Sequence, residues 1–190
     1  MLNSRLAVIN QVLALYKLSP CTSLDDLNDV GQILNAIMEN HLPTYFGGEI
    51  DYACVRKVAQ LTNLNNVKPL TYNYAYILPA NFTRLRWFNC TATYAVEDFL
   101  IMGSEIWVNS KTPIMYYSSL VPSSDLANLP EHAVTGFAYY FAAINAPAIL
   151  RDAELSKVLA ELNNVMQTSI RLREYNDLPY RRRTYDAGAY

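Results

Sequence analysis

The sequence predicts an α+β fold: a helical bundle formed by N- and C-terminal helices, with an inserted small antiparallel β domain. Apolar residues recur at helical spacing near both ends, whereas the middle consists of short, aromatic, β-rich pieces separated by turn residues. Neither pair of helices alone buries enough surface to be stable, so we expect the pairs to pack together. The predicted domains are the bundle over 1–43 and 129–177, the β domain over 44–128 and an extended tail over 178–190.

The two N-terminal helices are predicted from their apolar stripes and their ends. The first, over 3–17, has four apolar residues on one face: Leu6, Ile9, Leu13 and Tyr16. Pro20 ends it, because proline disfavours the helical conformation of the residue before it. The second is predicted over 24–41, with the Ser23 hydroxyl as its N-cap and with Pro43 and Gly47-Gly48 closing it.

The middle of the chain changes to the period of β-strands. Residues 52–61 fit a strand or a short helix equally well, and the pattern does not decide between them. Tyr72, Tyr74 and Tyr76 alternate, which predicts a strand that Pro79 ends because proline has no N–H for the ladder. A tight turn is predicted at Gly103-Ser104, and further short strands over 84–89, 94–96, 99–102, 105–108 and 113–120.

The C-terminal third returns to helical spacing. Leu129-Pro130-Glu131 predicts a helix start with proline in the first turn, and Pro147 is expected to break this helix. A longer amphipathic helix is predicted over 151–175, with six residues facing inward: Leu155, Val158, Leu159, Leu162, Val165 and Met166. The last residues show no periodicity, so we expect a tail that is ordered only when a partner holds it.

The composition favours a protein with extensive contact surface. The chain is 52% hydrophobic and 17% charged and contains fifteen tyrosines. Tyrosine is enriched at interfaces because it joins an apolar ring to a polar tip, although a tyrosine-rich core is the alternative interpretation. The net charge of −2 provides no global basic field that would attract nucleic acid or anionic lipid.

Cysteine usage and hydropathy indicate assembly in a reducing cytoplasm. Cys21, Cys54 and Cys90 are odd in number and far apart, which argues against a disulfide framework. No apolar run approaches the ~18 residues of a membrane span. The N-terminal segment lacks the basic start and small-residue cleavage site of a signal peptide, so we expect no secretory signal and no membrane partner.

The sequence shows no constellation typical of an enzyme. His41 and His132 are predicted at helix ends, as partly exposed helix residues rather than bases. No cysteine has a partner at zinc-ligand spacing, and no glycine-rich phosphate loop occurs. Glu97-Asp98 would point to opposite faces of a strand. We therefore predict no enzyme activity, cofactor or metal; the alternative is a small enzyme that uses His132 and Glu97.

Two arginine-containing segments are candidate binding surfaces. Arg84 and Arg86 share one face of a predicted strand, with Trp87 opposite. They form either a contact strip to DNA or a partner subunit, or a solvated face over a buried tryptophan, which ordinary strand alternation favours. The tail segment either docks onto a partner or is a solubilising tail; its candidate residues are Tyr180, Arg181, Arg182, Arg183 and Tyr185. A nucleic-acid-binding module using both segments remains an alternative.

Four segments in this order resemble the tail tubular protein A family, the head-to-tail adaptors of short-tailed bacteriophages. They are LAVINQVLALYKLSP at the start, the aromatic strand pair YNYAYILPANFTRLRWFN, the hairpin VEDFLIMGSEIWV, and PIMYYSSLVPSSDLANLPEHAVTGFAYYFAAINAPAIL. Glu97-Asp98 stands where the family commonly has glycine. The resemblance covers roughly residues 5–170, and the regions 44–70 and 178–190 match no part of it.

The resemblance implies a structural virion protein without catalytic residues. Such adaptors form a ring, usually of twelve copies, that joins the portal protein above to the tail nozzle below. The ring often helps to hold tail fibres, and genomic DNA passes through its channel without specific binding. For this chain the resemblance implies a place at the head–tail junction of the virion, after assembly in the host cytoplasm. The candidate contacts to a neighbouring subunit or to the nozzle are Arg84, Arg86 and Trp107, and the tail residues would dock onto the portal or a neighbour.

Overall fold

A computed structural model describes residues 4–48, 50–64, 72–89, 99–109, 111 and 113–176. It confirms the α+β class, with helices from both ends of the chain and an antiparallel β region between them. The chain divides into a helical unit, Met1–Cys54 with Val121–Tyr190, and a β unit, Val55–Leu120. The division falls here, instead of at 43/44 and 128/129, because residues on both sides of the insertion are buried in the helical unit: Tyr45, Phe46, Tyr52, Val121 and Leu126.

The described residues of the helical unit form four α-helices. They are α1 (Arg5–Leu15), α2 (Asp29–Phe46), α3 (Glu131–Ile149) and α4 (Ala153–Asn176), with short 3-10 helices at Ala53–Val55 and Ser123–Asn128. Helix α3 packs against each of the other three. Its Phe137 and Phe141 rings stack at 5.4 Å, and the buried Tyr16 hydroxyl of α1 donates to the Ala142 carbonyl at 2.7 Å.

The second helix begins later than predicted, so Ser23 is not its N-cap. The Asn28 side chain caps α2 and accepts from the Gly31 N–H at 2.8 Å. Residues before it are held against α1, because the Asn10 amide exchanges two hydrogen bonds with the Cys21 backbone, at 2.8 and 2.9 Å. This long-range link keeps the chain after Pro20 out of a helix.

Proline ends neither α2 nor α3. Pro43 lies in the last turn of α2, which continues to Phe46, and Pro147 lies in the last turn of α3. A proline near a helix C-terminus removes one hydrogen bond of the ladder, and burial of the flanking turn offsets that loss. In α2 the flanking residues Tyr45 and Phe46 are buried against the α3 aromatic side chains.

Helix α4 buries only part of the stripe predicted for it. Leu159 is buried as predicted, Leu155 and Met166 are half-buried, and Val158, Leu162 and Val165 are exposed; Ile170, outside the predicted set, is buried. The apolar face of α4 is broad, and the helix packs chiefly on α3, which covers only part of that face. The inward assignment of Val158, Leu162 and Val165 is therefore wrong.

In the described part of the β unit the strands form two three-stranded antiparallel sheets. One has the order β1 (Arg56–Gln60), β6 (Ile114–Ser119), β3 (Phe82–Asn89); the other has the order β2 (Tyr74–Ile77), β5 (Glu105–Val108), β4 (Leu100–Met102). Residues 52–61, left undecided by the sequence, form the 3-10 helix and then β1. Gly103 adopts φ +59° in the predicted turn between β4 and β5. The strand predicted over 94–96 lies outside the described residues. The core shared by both sheets contains Tyr76, Phe88, Ile106, Val108, Met115 and Tyr117.

Candidate functional site

The sheet of β2, β5 and β4 exposes an apolar surface. Its cross-strand register aligns Ile77, Glu105 and Met102 in one row and Ala75, Trp107 and Leu100 in the next. The residues that lie between these two rows, including Tyr76 and Ile106, are buried in the core of the β unit. Because neighbouring residues of a strand point to opposite faces, the two rows lie on the face of the sheet that points away from that core. We call the members other than the buried Ala75 the sheet patch: the exposed Ile77, Leu100 and Met102, and the half-buried Glu105 and Trp107.

The sheet patch has the chemistry of a contact surface. Ile77, Leu100 and Met102 are exposed, Met102 by 53%. The half-buried Trp107 donates its indole N–H to the Glu105 carboxylate at 2.9 Å. That bond satisfies the polar atom of the tryptophan and holds its ring in one orientation. Contiguous exposed apolar side chains beside a fixed tryptophan are typical of protein interfaces.

The structure separates the predicted contacts Arg84, Arg86 and Trp107. Arg84 and Arg86 lie on β3 in the other sheet, so they do not join Trp107 in one strand face. Arg84 is exposed, but Arg86 is partly buried and its Nε donates to the buried Ser118 hydroxyl at 2.6 Å. Irregular register in β3, between Phe82 and Arg84 and between Leu85 and Trp87, interrupts simple alternation. Arg86 therefore serves the packing of β3 on β6.

Other predicted site residues fall outside the described part of the chain. These are Glu97 and the tail residues Tyr180, Arg181, Arg182, Arg183 and Tyr185. The backbone of Trp87 lies in β3, but its side chain is outside the described part.

A buried polar cluster joins three parts of the helical unit. Glu174, 4% exposed in the last turns of α4, lies 2.8 Å from His132 Nε2 through one carboxylate oxygen. Its other oxygen accepts from the Ala53 N–H at 2.8 Å. The Tyr52 hydroxyl donates to the Tyr45 hydroxyl in the same interior. Burial raises the pKa of both tyrosines above the usual range, so both stay neutral at physiological pH.

The cluster gives His132 a structural partner. The alternative enzyme hypothesis paired His132 with Glu97, whereas the structure pairs it with Glu174, 42 positions away along the chain. The backbone N–H of Ala53 and the imidazole of His132 both contact the Glu174 carboxylate and orient it. The predicted inward stripe of α4 did not include Glu174, although Glu174 follows the apolar Ile170 by one helical turn. Both residues are buried, and a buried carboxylate requires a partner.

A groove of about 600 Å³ lies beside the start of α1. Hydroxyl-bearing residues such as Thr22 and Ser123 line it, with Arg5 at its wall. The Arg5 guanidinium donates to the Asn35 amide, to Ser123 Oγ at 3.0 Å and to Glu39 at 3.3 Å. Because protein acceptors already engage this guanidinium, the groove does not present it to an anion.

His41 lies against the α3 aromatic side chains. Its ring centroid is 5.2 Å from that of Phe141 and 6.3 Å from that of Tyr140. Partial burial lowers the pKa of His41, because the charged imidazolium loses hydration there.

The lowered pKa of His41 predicts a loss of stability on acidification. Between the folded-state pKa and the unfolded value of about 6.5, the unfolded chain binds more protons, so the free energy of unfolding falls as pH falls through this window. The variant His41→Gln has no imidazole at this position, so its free energy of unfolding should fall less over the same pH range. Urea unfolding at neutral and acidic pH measures the pH dependence of the free energy of unfolding for both proteins. Equal pH slopes for the two proteins would contradict the assignment.

Comparison with known proteins adds no family. No protein-family model matches the chain, and no curated protein sequence matches it. Among the described residues, no group of three or more histidine, cysteine, aspartate or glutamate side chains is placed to hold a metal ion. Within the same residues, every helix is too short or too polar to span a bilayer.

Proposed function

We propose that this chain is the subunit of a head-to-tail adaptor ring in a short-tailed bacteriophage. In this role it is a structural virion protein that joins the portal to the tail nozzle and forms part of the DNA ejection channel. The sequence resemblance to the tail tubular protein A family supplies the proposal. The observation that supports it in the structure is the sheet patch on the β unit, an apolar surface of the kind that protein contacts cover.

The sheet patch fits an assembly subunit for a geometric reason. A closed ring with head-to-tail contacts requires each subunit to present two different surfaces to its neighbours, and an adaptor needs further surfaces for the portal and the nozzle. Ile77, Leu100 and Met102 face away from the core of the β unit. Neither packing in that core nor a turn therefore requires an apolar side chain at these positions. Their burial against a neighbour would remove that apolar area from water.

Negative-stain electron microscopy of the purified protein, alone and with portal, tests the proposal. We expect rings, on the portal if not in the free protein. The variant Met102→Glu should reduce ring formation at least about tenfold, because it would bury a carboxylate in an apolar contact. Gln60→Glu, at an exposed strand position of the other sheet, is the matched control and should assemble normally.

A chain that stays monomeric with portal present would refute the adaptor role. Rings that form equally well from Met102→Glu and Gln60→Glu would leave the role in place and remove the sheet patch from the ring contacts.

A further inference from the structure

Helix α4 carries an exposed apolar seam with the spacing of a coiled coil. Val158, Leu162, Val165 and Leu172 are exposed large apolar residues, Val165 by 70%. With the half-buried Leu155 and the exposed Ser169 they alternate steps of three and four residues, which is the heptad pattern of a helix–helix contact. The seam from Leu155 to Leu172 extends about 25 Å along the helix.

Within the described part of the helical unit, no other element covers this seam. Helix α4 packs chiefly on α3, and it does so through a neighbouring stripe that contains Leu159, Ile170 and Glu174. A heptad seam is narrower than the apolar stripe of an ordinary surface helix. Its apolar residues recur every 3.5 residues on average, which is the spacing that packs against a second helix rather than against a flat surface. The partner should therefore be helical.

Charge along α4 indicates how a partner helix would run. Beside the seam, its first half and the preceding turn carry Asp152, Glu154 and Glu161, whereas its last turns carry Arg173. Lys157 and Arg171 are two heptads apart and both lie off the seam by helical spacing, and the carboxylate of Glu174 is buried against His132. A parallel copy of α4 would place like charges together, but an antiparallel copy places the acidic half against the basic half.

An antiparallel register also matches the side chains. When α4 faces a second α4 in the opposite direction, Leu155 lies opposite Leu172, and Leu162 lies opposite Val165. Val158 then lies opposite Ser169, which leaves a small residue beside a branched one. The same register brings Arg173 beside Asp152 of the other copy. Every layer pairs the two kinds of heptad core position, as antiparallel coiled coils require.

We infer that α4 is a self-association surface, and that two copies of this chain pair through it in antiparallel fashion about a two-fold axis near residues 163 and 164. The seam is short, so the dimer should be reversible, with a dissociation constant on the order of micromolar. A two-fold contact closes after two copies and does not propagate round a ring. The pairing therefore belongs to the free protein and stands independently of the adaptor role.

Sedimentation of the full chain over micromolar concentrations tests the inference. We expect a reversible monomer–dimer equilibrium that weakens with salt. Val165→Glu should weaken dimerisation at least about tenfold, because a carboxylate would enter the seam on both copies. Asn164→Glu, at the adjacent exposed position off the seam, is the matched control and should dimerise as the wild type does. Both substituted side chains are exposed, so circular dichroism should show both variants folded.

Spin labels placed as unnatural amino acids determine the orientation. In the antiparallel dimer the two labels at position 164 lie almost level with each other along the helix direction, whereas labels at position 157 are about 20 Å further apart along that direction. A parallel pair would give similar distances at both positions.

Three outcomes would overturn the inference: a wild type that is monomeric throughout, a Val165→Glu variant that dimerises normally, or equal distances at the two label positions. If the free wild type is monomeric and Val165→Glu abolishes rings, the seam is a ring contact instead. That result overturns the pairing and leaves the adaptor role standing.

Discussion

Replacing Glu174 by alanine is expected to destabilise the helical unit by about 3 kcal/mol. The carboxylate accepts a hydrogen bond from the Ala53 backbone N–H and pairs with His132, both at 2.8 Å. Its removal leaves a partly buried N–H and a mostly buried imidazole without these partners, and polar groups left unpaired in an interior lose most of their hydration.

Matched variants separate this role from a general effect of charge. Glu161→Ala removes an exposed carboxylate from the same helix and should change the free energy of unfolding by less than about 0.5 kcal/mol. Glu174→Gln retains an oxygen that can accept from the Ala53 N–H, so its loss should lie between the other two. Urea unfolding followed by circular dichroism gives the three values. A Glu174→Ala variant as stable as Glu161→Ala would show that the buried pair contributes nothing net.

Replacing Gly136 by alanine is expected to destabilise the fold by about 2 kcal/mol, although alanine favours helices. A β-carbon at position 136 would overlap both Ile170 Cδ1 of α4 and the Tyr45 hydroxyl of α2. The hydroxyl cannot move freely, since Tyr52 donates to it. The helix-propensity gain of about 1 kcal/mol only partly offsets the overlap.

A rescue variant tests the cause of that loss. Ile170→Val removes the Cδ1 atom that the new methyl group meets. Alone it should cost about 1 kcal/mol, and combined with Gly136→Ala it should cost clearly less than the sum of the two. Thermal or urea unfolding of the four proteins gives the coupling energy. Strict additivity, or a Gly136→Ala variant more stable than the wild type, would contradict the close packing at this position.

Local patterns in the sequence were sufficient for the fold class and for most elements. The helical spacing near both ends and the alternating tyrosines predict elements that the structure contains. The turn at Gly103 is predictable because only a few residue types accept positive φ without strain. These features depend on neighbours within one or two turns of the chain.

Features that depend on distant residues could not be predicted. The start of α2 is displaced by the link between Asn10 and Cys21, which no local pattern shows. The pairing of His132 with Glu174 spans two helices. Val165 is exposed because α3 covers only part of the apolar surface of α4. Of the candidate site, Trp107 lies in the sheet patch, whereas the tail residues stay a prediction because they lie outside the described part of the chain.

The two contacts of the Glu174 carboxylate have a mechanical consequence for the unfolding of α4. Glu174 lies in the last turn of α4, so a force applied at the C-terminal end of that helix reaches this residue first. There Glu174 is bonded at once to the first turn of α3 and to the segment before the β unit. Because both contacts are made by the same carboxylate, a force on this end of α4 acts on the His132 contact and the Ala53 hydrogen bond at the same time. Peeling of α4 from its C-terminus must break both before the apolar contacts of Ile170 are exposed.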